Sequence, residues 1–145
     1  MSTPLGSDRR GLEILDLDTC LSRLAAQPVG RVAMMERGEL VILPVNHVVA
    51  GMLIGFRTAP GTKLAQAVDG NAVGLEVDAF DTASRTGWSV LVQGTARVAT
   101  PEQAQRLEVM ADSPWVAGAR TWVVIDPSEI AGREILPTSA GGSAD

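Results

Sequence analysis

Along most of the chain apolar and polar residues alternate with a period of two, the signature of strands that bury one face. Val73, Leu75 and Val77 alternate with Ala72, Gly74 and Glu76. The longest such run is Gly87 to Val98, with Trp88, Val90, Val92, Ala96 and Val98 on one face and Ser89, Leu91, Gln93, Thr95 and Arg97 on the other. Gly94 inside that run predicts a bulge or a close backbone approach. Upstream, Arg31 to Met35 and Glu39 to His47 read as strands joined by the charged turn Glu36-Arg37-Gly38. Val48-Val49-Ala50-Gly51 then leads into a third strand from Met52 to Arg57. Near the end, Thr121 to Ile125 predicts a strand, Asp126-Pro127-Ser128-Glu129 a turn, and Ile130 to Ile135 one more short strand.

Helical spacing appears in three short places. Asp18 is placed to cap a helix whose apolar face is Leu21, Leu24 and Ala25, and Pro28 and Gly30 end it. Leu64, Ala67 and Val68 suggest a second helix stopped by Asp69-Gly70-Asn71. Thr100-Pro101-Glu102-Gln103 is a capping-box start with proline at the first helical position, and Leu107 and Met110 give that helix a buried stripe. Residues 1–11 and 137–145 are small, polar and aperiodic, so flexible tails are expected around a folded unit at 12–136. Six or seven strands with short helices predict a mainly β fold. A β-barrel, closed or nearly so, is expected because an open sheet would leave long Val-rich edges unpaired.

Composition narrows the function. At 145 residues the chain suits one domain on the usual scale of about 150 residues. Twelve basic residues against 17 acidic ones give a net charge of −5, which disfavours a nucleic-acid surface. No apolar run is long enough for a membrane span and no secretory leader is recognisable, so a cytoplasmic protein is expected. A single cysteine, Cys20, excludes an internal disulfide, and one histidine, His47, excludes a His-rich metal site. Cys20 reads as a small buried hydrophobe, Trp122 as core, and Trp115 as a cover for the barrel mouth or a dimer seam. Glu76, Asp78 and Asp81 read as a solvated rim, and no metal site is predicted.

One segment concentrates chemistry. Phe56-Arg57-Thr58-Ala59-Pro60-Gly61-Thr62-Lys63-Leu64 runs from a strand through a glycine-bearing loop toward a helix, and it carries two hydroxyls, two cations and the chain's only lysine. A strand-to-helix junction with local cations suits a phosphate in an otherwise acidic chain. Gly61-Thr62-Lys63 has the wrong order and spacing for a nucleotide P-loop.

This segment, the strand entering Leu43-Pro44-Val45-Asn46-His47-Val48-Val49, and Gly87-Trp88-Ser89-Val90-Leu91-Val92-Gln93-Gly94-Thr95-Ala96 occur in the order that resembles the pyridoxamine 5'-phosphate oxidase-like, FMN-binding split-barrel family. The resemblance covers residues 12–135 and is nearest to the short, nitroimidazole-reductase-like members. It implies a six-stranded split β-barrel that dimerises and binds FMN at the homodimer interface. It also implies that Arg57, Thr58, Thr62 and Lys63 hold the flavin phosphate, that Val45, Asn46 and His47 line the ring, and that Trp88, Ser89 and Gln93 on the long strand are further cofactor contacts. The expected activity is reduction of a small electron-poor molecule by an FMN-dependent oxidoreductase. The alternatives are an F420-dependent reductase and a non-enzymatic flavin binding or storage protein. With no tyrosine and a Gly/Ser tail, vitamin B6 oxidation is not expected.

Overall fold

The structure is a computed structural model that describes residues 6–7, 12–58, 68–115 and 118–137. Within them lie β1 (Gly6–Ser7), β2 (Glu13–Leu15), α1 (Leu17–Ala26), β3 (Gly30–Glu36), β4 (Glu39–Val45), β5 (His47–Ala50), β6 (Leu53–Thr58), β7 (Ala72–Asp81), β8 (Thr86–Val98), α2 (Pro101–Met110) and β9 (Thr121–Ile135). The helix expected around Leu64 and Ala67 falls outside the described residues.

All ladders are antiparallel, and their hydrogen-bonded order is β1-β2-β9-β8-β7-β3-β4. β9 is long enough to serve two neighbours on its remaining edge: residues 132–134 pair with β2 and residues 121–125 pair with β6. β6 in turn pairs with β5. The β3–β4 turn places both Arg37 (φ 51°) and Gly38 (φ 81°) in the left-handed region, the backbone twist that a two-residue hairpin needs.

Three expectations about strands require correction. The mainly β fold stands, but in place of a six-stranded split barrel, closed or nearly so, the described residues form nine strands in one sheet with no ladder from β4 to β5 or β6. The run expected as one strand from Glu39 to His47 breaks at Asn46, after which the chain changes partners from β3 to β6. In the other direction, residues 121–135 form one strand where a strand, a turn and another strand were expected. Pro127 stays in the ladder because the register slips between Gln93 and Gly94, which accommodates an extra residue and a missing N–H. Gly94 is required there, since a Cβ would run into the carbonyl oxygen of Asp126.

Period-two burial builds the core. Val32, Met34, Val73, Leu75, Val77, Trp88, Val90 and Val92 turn inward and meet Cys20 and Leu24 of α1. The cap of α1 is Asp16, whose side chain accepts from the Thr19 N–H at 2.9 Å, whereas Asp18 sits in the first turn. α2 has the expected capping box, with Gln103 N–H donating to Thr100 Oγ1 and Thr100 N–H to Gln103 Oε1. Its buried anchor is Leu107 alone, which packs with Ala50, Trp122 and Val124 on the far side of β6 and β9, while Met110 is exposed. Gly55 makes this seat possible: a Cβ there would lie 2.6 Å from Leu107 Cδ1 and 2.9 Å from the Val123 carbonyl oxygen.

Candidate functional site

The break at Asn46 opens one side of the sheet, and a cleft of about 400 Å³ lies there. Its walls are the end of α1 with Gln27 and Pro28, the segment from Asn46 to Val49, Arg57 on β6, and Met110, Asp112, Ser113 and Trp115 after α2. Asn46 joins two of these walls. Its Nδ2 donates to the Pro28 carbonyl at 3.2 Å, and its Oδ1 accepts from the Trp115 N–H at 3.3 Å.

Arg57 is the cation of the cleft. Its side chain is only 6% exposed, and a charge so far removed from water must be paired. Nη1 donates to Glu108 Oε1 at 3.3 Å and Nη2 to the Asp112 carbonyl oxygen. The guanidinium also lies 4.9 Å from the centre of the Trp122 ring, within cation–π range. The buried Nε–H has no partner among the described residues.

His47 supplies the complementary polarity. Its Nε2 lies 2.7 Å from the Leu24 carbonyl oxygen, which can only accept, so Nε2 carries the hydrogen and a neutral ring leaves Nδ1 as an acceptor. Nδ1 is buried and has no partner among the described residues. Burial pushes the imidazole pKa below its ordinary 6.5, and the Leu24 hydrogen bond opposes this only in part. The cleft is therefore lined by one largely buried cation, Arg57, and one neutral ring, His47.

Of the residues singled out from sequence, Asn46, His47 and Arg57 come together here. Val45 is buried in the core beside the cleft. Thr58 is buried, and its hydroxyl donates to the Thr121 carbonyl at 3.4 Å. Thr62 and Lys63 lie outside the described residues. Trp88 lines a separate cavity of about 450 Å³ with Arg23 and Glu134, where the Arg23 guanidinium is 5.5 Å from the indole centre and 2.8 Å from Glu134. Ser89 pairs across the sheet with Asp78 and Arg133. Gln93 is exposed, and its carbonyl accepts from Ser128.

Sequence reasoning missed Glu108, which receives both Arg57 and the Trp122 indole N–H, the latter at 2.7 Å on Oε2. The signal that could have found it is electrostatic, an acid in a helix's last turn with no base beside it. Cys20 is buried, with its thiol pKa raised by burial and by Asp16. No cluster suited to a metal ion occurs among the described residues, and none of their helices is long and apolar enough to cross a membrane.

Comparison with known proteins bears on this arrangement. The family model for pyridoxamine 5'-phosphate oxidase matches residues 16–134, which include every described wall of the cleft. The chain belongs to the pyridoxamine 5'-phosphate oxidase family. Within it, an uncharacterized protein of Mycobacterium tuberculosis is 40% identical over 86% of this chain and 86% of its own length. The FAD binding protein from Mycobacterium smegmatis is 34% identical and superposes with a TM-score of 0.73, covering 85% of this chain and 99% of that one. A FAD-binding protein from Mesorhizobium loti shares the fold at 19% identity, with a TM-score of 0.63 over 86% of this chain and 99% of its own.

Proposed function

We propose that this member of the pyridoxamine 5'-phosphate oxidase family is a flavin-dependent oxidoreductase that binds FMN noncovalently at a homodimer interface and reduces a small electron-poor substrate. The observation that carries the proposal is one cleft lined by both the Arg57 guanidinium and the neutral His47 ring. A flavin offers a complement to each, an anionic ribityl phosphate and a planar ring. Arg57 would hold the phosphate, with Thr62 and Lys63 as further candidates, and His47 would line the ring beside Asn46. Val48, Val49, Met110 and Trp115 give the apolar wall that a planar ring requires. Bound flavin supplies the hydride and electron transfer, while this chain binds it, orients it and sets the polarity around it.

FAD is a second reading, favoured by the likeness to the FAD binding protein from Mycobacterium smegmatis. FAD carries the same ribityl phosphate, so Arg57 would serve either cofactor. F420 is disfavoured, since its polyglutamate tail calls for free cations. Arg23 is already held by Glu134, and Arg31 lies 3.6 Å from both Glu76 and Asp78. Dimerisation is supported by Met35 (55% exposed), Leu40 (68%) and Ile42 (59%), which leave an apolar face on β3 and β4 for a second copy to cover.

The test is the absorbance spectrum of the purified protein, followed by titration with FMN, FAD and F420. Each reduced complex is then mixed with a nitroaromatic or quinone acceptor. We expect flavin binding, reduction by NAD(P)H and reoxidation by acceptor. Tighter binding of F420 than of either flavin would reverse the cofactor assignment, and flavin binding without reoxidation would make the protein a storage or sensing module. Arg57→Ala should weaken FMN binding about ten- to a hundredfold, whereas Arg37→Ala on the hairpin turn should leave it unchanged.

A further inference from the structure

Glu108 sits where a helix least favours it. It occupies the last turn of α2, which has no basic residue, so its charge opposes the negative end of the helix dipole. It is also far from buried, with a side chain 55% exposed. Yet both of its carboxylate oxygens are committed, and to residues of two different strands. Oε1 accepts from Arg57 on β6 at 3.3 Å, and Oε2 accepts from the Trp122 indole on β9 at 2.7 Å.

Those two partners are themselves stacked. Arg57 and Trp122 face each other across the β6–β9 ladder, and the guanidinium lies over the indole. One carboxylate thus fixes a cation and the aromatic plane on which that cation rests. An arginine has several rotatable bonds, and holding it in one arrangement before a ligand arrives removes an entropy cost from binding. With Nη1 on Glu108, Nη2 on the Asp112 carbonyl and one face on Trp122, the guanidinium is held in one arrangement at the cleft wall, and each Nη keeps a second N–H.

We propose that Glu108 is a positioning residue for anion recognition: with Trp122 it holds the Arg57 guanidinium in the cleft so that the protein selects flavins bearing a ribityl phosphate over riboflavin. The inference rests on the assignment of Arg57 to the flavin phosphate. It adds the residue that sets the strength of that contact. Glu108 touches Arg57 and Trp122 and acts through them.

The experiment compares FMN and riboflavin affinity in the full-length protein and in Glu108→Ala, Glu108→Gln and Arg57→Ala. The glutamine variant keeps the size of the side chain and can accept from one partner but not from both, so it serves even if the alanine variant folds poorly. We expect both Glu108 variants to lose about tenfold in FMN affinity while riboflavin affinity stays within about twofold of the parent. Equal weakening of both flavins would assign Glu108 a purely structural role and overturn the proposal. Unchanged or tighter FMN binding in the Glu108 variants, alongside selective loss in Arg57→Ala, would overturn it while leaving the phosphate assignment standing. If Arg57→Ala loses no selectivity for FMN, the phosphate assignment fails and this proposal falls with it.

Discussion

Gly55→Ala tests how α2 is held against the sheet. The new methyl would stand 2.6 Å from Leu107 Cδ1 and 2.9 Å from the Val123 carbonyl oxygen, so either the leucine or the strand must move. Overpacking a tight site of this kind costs about 1–3 kcal/mol. Leu107→Ala, which empties the fully buried anchor of α2, should cost about 2–5 kcal/mol. In the double variant the methyl occupies part of the space the leucine leaves. The two losses should therefore fall short of additive by at least about 1 kcal/mol, well within the range measured for contacting residues. Urea unfolding at one fixed protein concentration measures all four corners of the cycle. Additive losses, or a Gly55→Ala protein as stable as the parent, would refute the packing argument. A linked consequence is functional. Glu108 follows Leu107 directly, so Gly55→Ala should also lower the preference for FMN over riboflavin.

Two further predictions concern pH. The folded state holds His47 neutral, with its pKa lowered by burial; as pH falls below about 6.5 the unfolded chain takes up the proton first. Stability should decline through that interval and level off below the folded-state pKa, and Tm against pH should be flatter for His47→Gln. Glu76 behaves in the opposite sense: burial, with help from the adjacent Asp78 and against the pull of Arg31, pushes its carboxyl up to about 7. Its protonated form favours the fold fully below about 4.5 and ceases to do so as pH rises through 7, so Glu76→Gln should raise Tm at pH 8 and match the parent at pH 4; a constant offset at both would contradict the assignment. Ile42→Lys places a charge on the exposed face of β4. Light scattering should show it shifting the protein toward half the parent's mass, and an unchanged mass would remove that face from the interface.

Several features were legible because local chemistry alone demands them. Gly94 within a valine-rich run announces a backbone collision, and the structure supplies one with Asp126. Thr100-Pro101-Glu102-Gln103 specifies its own helix start. Asp16 and Asp18 are close enough to be exchanged as caps, since the difference is where the first turn begins. Asp126-Pro127 reads as a turn in isolation, because the bulge at Ser128 that keeps it in β9 needs the room that Gly94 gives on the opposite strand. The room that Gly55 leaves beside β6 is taken by Leu107. The site follows the same division. Arg57 and His47 stand out as polar residues within apolar runs, whereas Glu108 acquires meaning only when the register sets Arg57 opposite Trp122 and the helix lays its last turn over both.

The cleft depends on a fold feature that hydrophobic patterning cannot express. Residues from Glu39 to Ala50 are apolar enough to continue as one strand, and had they done so His47 would have stayed on the β3 side of the sheet. Asn46 is the joint at which this continuity fails, with its side chain spent on the Pro28 carbonyl in one direction and the Trp115 N–H in the other. Beyond it, β5 pairs with β6 and sets His47 directly opposite Phe56, the residue before Arg57. Two walls of the cleft are thus fixed by ladder hydrogen bonds. The third, from Asp112 to Trp115, is tied to them by the Asn46 and Arg57 side chains. On the proposed assignment, the group that would engage a phosphate is the same one that holds the outer wall, so a phosphate and that wall would share a single guanidinium.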